Sequence, residues 1–318
     1  MAELQHFCVV GLGAHARTKL IPALEANGQQ VVAVVSGQPP DALNGKRVFP
    51  RLEIALELLA DDTAFLIATP PHAHFRQIKA VVEAGRDVVV EKPAFVTRRD
   101  AEEISRLCEP CTTVVAEAFM HRHTALYARL LTFWAARRER VRRLEMRFLI
   151  AEAPVGTFRQ DAGIASSSLF DIGCYPVSLL ADLGLALAPL QVEDVAFPGI
   201  ADKERVRLAG VLGDVEVKAE IGVGPGYANS VTIGLDGDES IRLEPFFYGR
   251  KGARSITRTS DSAAQTETFD DHNGLETMLG VTREAWLAGQ QARLVQMVEV
   301  AGKLESLGRQ VVARRVGV

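Results

Sequence analysis

The stretch Phe7-Cys8-Val9-Val10-Gly11-Leu12-Gly13-Ala14-His15-Ala16 decides how the first half of the chain folds. Four apolar residues run straight into a G-x-G-x-x-A loop, and a helical segment follows that stops at Asn27-Gly28. An apolar run without alternation marks a strand buried on both faces. Each loop residue then has a mechanical part: Gly11 makes the tight turn, Gly13 lets the backbone approach a pyrophosphate, and Ala16 is small enough for close helix–strand packing. Ala14 and His15 would present free N–H groups at the positive end of the helix. The context predicts a dinucleotide site over residues 11–16.

Outward from that loop, short apolar runs alternate with helical stretches. Val31–Val35, Ala64–Ala68, Asp87–Val90 and Thr113–Ala116 read as strands. Leu52–Ala60, Ala73–Ala84 and Arg98–Cys108 read as helices. This pattern predicts a doubly wound parallel sheet. After residue 120 the character changes. A helix at Thr124–Arg137 and a strand at Arg143–Ile150 lead to one helical stretch over Ser167–Leu183. Alternating strands then run from Val192 to Phe269, with hairpin turns at Gly213-Asp214 and Asp236-Gly237, and Arg283–Leu307 reads as one closing helix. The expected organisation is α/β: a dinucleotide-binding domain over 1–120, then an α+β domain over 121–318 with a large, mainly antiparallel sheet. There is room for the C-terminal helix to return to the first domain.

Composition narrows the function classes. Of 318 residues 47% are hydrophobic and 24% charged, enough for a real core. Thirty-six Lys and Arg against 40 Asp and Glu leave a net charge of −4, which argues against nucleic acid or anionic lipid as partner. The first residues lack a signal-peptide pattern, no apolar run reaches membrane-spanning length, and four cysteines make no disulfide framework. A cytoplasmic protein is expected.

Three further clusters matter together: Thr69-Pro70-Pro71-His72-Ala73-His74, Glu91-Lys92-Pro93, and Asp171-Ile172-Gly173-Cys174-Tyr175. With the glycine loop they resemble the glucose–fructose oxidoreductase / inositol dehydrogenase / MocA (Gfo/Idh/MocA) family over most of the chain. The resemblance implies an N-terminal Rossmann domain, a C-terminal sheet domain, and a nicotinamide lying between them. It implies that Lys92 reaches the nicotinamide ribose and the reacting oxygen, often with a cis bond before Pro93, and that Asp171 and Tyr175 face the substrate. A tyrosine at 175, where many members carry histidine, is similar to the sugar- and dihydrodiol-oxidising branch. The cofactor residues expected are Gly11, Gly13, Ala14, His15, Ala16, Ser36, Thr69, Pro70, His74, Glu91 and Lys92.

The residues themselves fit that chemistry. On a single helix Ser167, Asp171 and Tyr175 would share one face. Moving a hydride to or from a carbinol carbon requires a partner for the oxygen's proton. A free phenol, with pKa near 10, is a weak base at neutral pH, and a nearby ammonium such as Lys92 would lower it. The alternative is that Asp171 caps a helix and Tyr175 is a half-buried core aromatic. No carboxylate follows Val35, where NAD would find its ribose partner; Ser36 stands there, so the cofactor is NADP or NAD with a lean to NADP.

Two departures from the family pattern stand out. Ser166-Ser167-Ser168 replaces glycines before the Asp motif, which changes the pocket floor and the substrate, and Arg137-Arg138-Glu139-Arg140-Val141 replaces a Gly-x-Ile-Gly turn. Arg122 and Arg159 are candidate anion clamps for a phosphorylated or nucleotide-linked substrate, although surface salt-bridging is the stronger reading for either alone. His121 and His123 make a thin metal pair, and Cys108-Glu109-Pro110-Cys111 a half-motif better explained by packing, so no metal is expected. The Arg-rich stretch 137–147 reads as a solvated helix end and an edge strand. The expected function is an NAD(P)-dependent oxidoreductase for a secondary alcohol or ketone of a sugar, cyclitol or sugar nucleotide. Alternatives are a cofactor-binding sensor or scaffold, or a lyase or glycosidase using NAD transiently. A homodimer or homotetramer through the C-terminal sheet is expected, because an amphipathic sheet often covers its open face with a copy of itself.

Overall fold

The computed structural model describes residues 5–37, 45–109, 112–151, 167–197, 203–223, 226–261 and 263–315. The chain forms two compact units, Met1–Phe119 with Leu275–Ala301 and Met120–Gly274 with Gly302–Val318.

The first unit is built on β1 (His6–Val10), β2 (Gln30–Val35), β3 (Arg47–Phe49), β4 (Thr63–Ile67), β5 (Val88–Glu91) and β6 (Val115–Ala118), all parallel, in the order β3-β2-β1-β4-β5-β6. The strand order reverses between β1 and β4, and in such sheets ligands bind beyond the carboxyl ends of the strands at that switch. The helices are α1 (Ile21–Ala26), α2 (Leu52–Leu58), α3 (Pro71–Glu83) and α4 (Arg98–Cys108). A π-helical turn, Ala16–Leu20, leads into α1. Pro22, within the first turn of α1, lacks the N–H a continuous α-helix would need there, and the wider turn absorbs the mismatch.

The core of this unit joins Cys8, Val10, Phe65, Ile67, Ile78, Val88, Val90 and Ile104 to three residues from the far end of the chain, Leu294, Met297 and Ala301. Residues 275–301 thus rejoin the first unit, and the second is not the continuous 121–318 expected. Polar contacts fix the return. The Gln290 side chain accepts from the Val115 amide at 3.0 Å and donates to the Thr113 carbonyl at 2.8 Å. Arg283 pairs with Asp87 at 2.6 Å.

In the second unit α5 (Ala125–Arg137) precedes β7 (Val141–Ile150), α6 (Ser168–Asp171) and α7 (Cys174–Asp182). Then follow β8 (Gln191–Ala196), β9 (Arg205–Leu212), β10 (Val215–Val223), β11 (Ala228–Leu235), β12 (Ser240–Glu244), β13 (Gly252–Ser260) and β14 (Ala263–Asp271). Their order is β14-β13-β12-β11-β7-β10-β9-β8, antiparallel except for the parallel pair β7–β10. Burial alternates along β10: Val215, Val217, Ala219 and Ile221 point inward while Glu216 and Lys218 are exposed. β7 is therefore a central strand, not the edge strand its arginines suggested. The charges stand on the outer face, where Arg147 and Arg205 both meet Glu220, at 2.9 and 2.5 Å, and Arg207 meets Asp194 at 2.7 Å. Self-association through this face would have to match paired charges.

The chain ends in α8 (Gly274–Leu279), α9 (Arg283–Leu287) and α10 (Gln290–Arg315). The single closing helix expected is broken at Ala288-Gly289, where Gly289 has φ +71, and α10 runs beyond Leu307. It begins in the first unit and ends in the second. Among the described residues no helix is long and apolar enough to cross a membrane.

Candidate active site

Beyond the carboxyl ends of β1, β4 and β5 the first unit gathers three loops. The glycine loop opens with Gly11 at φ +93, its amide donating to the Val35 carbonyl at 2.9 Å. A Cβ on Gly11 would stand 2.9 Å from the Thr69 methyl and 3.0 Å from the Ala68 carbonyl oxygen, so this loop and the β4 loop pass each other only because residue 11 has no side chain. The Cβ position of Gly13 meets nothing within 4 Å, which leaves the backbone open to a ligand. Ala16 is buried, Ala14 and His15 are exposed, and the Arg17 guanidinium donates to the Leu12 carbonyl at 3.1 Å.

Beside this loop lies a cleft of about 460 Å³ whose lining includes Gly11, Leu12, Ser36, Gly37, Arg51, Thr69 and Arg76. A bare glycine backbone, a hydroxyl and two exposed guanidinium groups are the donor set that phosphates require, so a phosphorylated dinucleotide fits. Arg51 and Arg76 escaped the sequence reading. They arrive from the loop before α2 and from α3, not from the end of β2 where a phosphate partner was sought, and only the folded sheet brings them beside Ser36.

The third loop carries Glu91, Lys92 and Pro93, and the Lys92–Pro93 peptide is cis. Burial raises the Glu91 pKa, but the hydrogen bond from His15 Nε2 at 3.1 Å and the charges of His15, Lys92 and His74 outweigh it and hold the carboxylate below its usual range. The Ala94 amide donates to the Glu117 carboxylate at 2.7 Å, a contact across to β6 that no local motif announced. Thr69 donates its hydroxyl to Gln77 Oε1 at 2.6 Å, and Pro70 caps α3. His74, expected against the cofactor, is fully buried instead, with its ring nitrogens on the Thr69 and Pro93 carbonyls. The i, i+4 spacing of His74 with Ile78 already placed it on the inner face of α3.

In the second unit the Asp171–Tyr175 motif spans two helices rather than one. α6 ends at Asp171, and Gly173 opens α7. A Cβ on Gly173 would lie 2.5 Å from the Leu169 carbonyl oxygen and 2.7 Å from Ile221 Cδ1, so only glycine lets this corner pack on β10. Pro176, three residues into α7, falls in the first turn, where its missing N–H costs little. Ser167 caps α6, its hydroxyl oxygen accepting from the Phe170 amide at 3.4 Å, and so serves the helix end instead of a face shared with Asp171.

Asp171 and Tyr175 are each 4% exposed. The Tyr175 ring is enclosed by His121 at 5.1 Å, Phe148 at 5.2 Å and Phe247 at 6.1 Å between centroids. Asn229 braces this cage, its Oδ1 accepting from the Phe246 and Phe247 amides at 2.9 and 2.6 Å. Burial, with Arg122 and His123 beside it, holds His121 well below the usual imidazole range, so the ring is neutral. Burial and the same Arg122 bring His123 down to about 4. His121 packs into the tyrosine cage. Among the described residues no group of three His, Cys, Asp or Glu could hold a metal.

Arg122 makes a two-pronged pair with Asp182 at 2.9 and 3.0 Å, and Asp182 also accepts from the Tyr127 hydroxyl at 2.5 Å. Its guanidinium is committed within the unit. Cys108 is buried at the end of α4. Arg159, Ser166, Pro110 and Cys111 lie outside the described residues. A larger groove of about 960 Å³, between α5 and β12–β14, gathers no comparable set of reactive side chains.

Comparison with known proteins agrees with this geometry. Residues 5–119 match the family model described as oxidoreductase family, NAD-binding Rossmann fold. An NADP+-dependent D-xylose 1-dehydrogenase of Haloferax volcanii is 26% identical, over 83% of this chain and 83% of that one. The dTDP-3,4-didehydro-2,6-dideoxy-alpha-D-glucose 3-reductase of Streptomyces antibioticus is 28% identical, over 79% and 75%. Among solved structures, KijD10, a 3-ketoreductase from Actinomadura kijaniata crystallised with NADP and TDP-benzene, superposes with a TM-score of 0.79 at 21% identity, over 98% of this chain and 97% of that one. Residues 5–119 thus resemble the NAD-binding domain of the Gfo/Idh/MocA oxidoreductases. The two relatives are named as a dehydrogenase and a reductase.

Proposed function

We propose that the protein transfers a hydride between NADP and a secondary alcohol or ketone of a sugar or sugar nucleotide. The observation that carries this reading is the convergence of the glycine loop, the Thr69-Pro70 loop and the Lys92 turn at the switch point of the parallel sheet. The two curated relatives, both sugar oxidoreductases by name, support the substrate class. The bound nicotinamide supplies or accepts the hydride. Tyr175 gives the carbonyl oxygen its proton in reduction and takes it back in oxidation. Lys92 supplies positive charge toward the nicotinamide ribose, and Asp171 orients the hydroxyl of the substrate.

Cofactor turnover with a panel of keto- and aldo-sugars, free and nucleotide-linked, tests this, together with mass spectrometry of small molecules retained after gentle purification. Tight cofactor binding with no turnover across the panel would replace the reading with a sensor. Ser36 with Arg51, and Arg76 opposite, is the set proposed to hold the NADP 2′-phosphate. Arg51→Ala should weaken NADP about tenfold, the worth of one charge-assisted hydrogen bond, and leave NAD unchanged. Equal dissociation constants for the two cofactors in the parent protein would overturn the NADP preference.

A further inference from the structure

His74 occupies the inner face of α3 with Ile78 and Val81, fully buried. Its Nε2 lies 2.7 Å from the Thr69 carbonyl oxygen and its Nδ1 3.0 Å from the Pro93 carbonyl oxygen. Carbonyl oxygens only accept, so both contacts ask the ring for an N–H; a neutral imidazole has one and an imidazolium two. Burial lowers the pKa of the ring. The two carbonyls and Glu91 act in the opposite sense, and His72 acts with burial. The Pro93 carbonyl and the Ala94 amide belong to one peptide group, and the amide end of that group is held by Glu117. The Pro93–Ala94 peptide, one residue beyond Lys92, is thus gripped at its oxygen from α3 and at its N–H from β6.

We infer that His74 is a positioning residue for Lys92: wedged between the Thr69 and Pro93 carbonyls, donating to one and packed against the other, it ties the loop after β4 to the turn that carries the lysine, without touching substrate or cofactor. The inference rests on the role proposed above for Lys92. A lysine has a long, flexible stem, so its ammonium is placed only as well as its backbone. Thr69 lines the cofactor cleft, so the same imidazole couples the wall of that cleft to the lysine.

Three substitutions grade the tie. His74→Phe keeps the bulk and removes the ring N–H; His74→Asn keeps a shorter donor; His74→Gln keeps a longer one. His74→Phe should lower kcat about ten- to a hundredfold, the cost of displacing a reacting group by about 1 Å. It should also move to higher pH the limb of kcat/KM that reports the acid group under the influence of Lys92, because a displaced ammonium acidifies that group less. His74→Asn should fall between, and His74→Gln should lie nearest the parent. A role confined to folding would lower Tm and the active fraction but leave the limb in place, and that outcome overturns the inference. If His74→Phe does not fold, the other two decide: a higher limb in His74→Asn than in His74→Gln supports the tie, and equal limbs at parental kcat refute it. Lys92→Ala, measured alongside, separates the two readings. Parental turnover there removes the role of Lys92, whereas its loss combined with unmoved limbs in the His74 series removes only this inference.

Discussion

Replacing Tyr175 by phenylalanine should lower turnover by about 10²- to 10⁴-fold, the range that one acid–base partner contributes, while cofactor affinity and folding stay close to the parent. The substitution removes one oxygen and keeps the ring among His121, Phe148 and Phe247, so the cage is undisturbed. Steady-state kinetics and a direct cofactor titration distinguish the outcomes. Undiminished turnover would show that the phenol takes no part, and Tyr175 would revert to a buried aromatic of the second unit.

The second large effect belongs to Lys92→Ala. Here both quantities should fall: the cofactor should bind about tenfold more weakly, as expected for loss of a charged hydrogen bond, and turnover should drop by about 10²- to 10³-fold through loss of preorganised positive charge. Lys92→Arg should not restore turnover, because a planar guanidinium neither matches the point charge nor follows the same stem. In the double variant with Tyr175→Phe, a loss smaller than the product of the single effects would show that the two residues act together. Independent effects would mean that the lysine serves cofactor binding alone.

The first half of the chain was legible in sequence because doubly buried strands and helix stops have unmistakable local signatures. The three-residue β3 was missed; a strand that short has no periodicity to read. Around the reactive motif, spacing suggested one helix where Gly173 and Pro176 divide it into two, and the cause is a distant neighbour, Ile221 on β10, which no local rule anticipates. The arginines of β7 looked like an edge because their partners, Glu220 above all, come from a strand about 70 residues later. The residues that anchor the Lys92 turn, His74 and Glu117, were invisible as a pair for the same reason: each is ordinary in its own helix or strand, and they meet only across one peptide group.

The late residues in the first core bear on how the protein is made. Leu294, Met297 and Ala301 complete an apolar surface begun by Cys8 and Val10, so a ribosome that has released the opening 119 residues has not yet released everything that core requires. The nascent sheet must wait, its hydrophobic flank open, until residues 294–301 have emerged. The glycine loop is synthesised well before Leu294, Met297 and Ala301, yet the unit that carries it closes only with them.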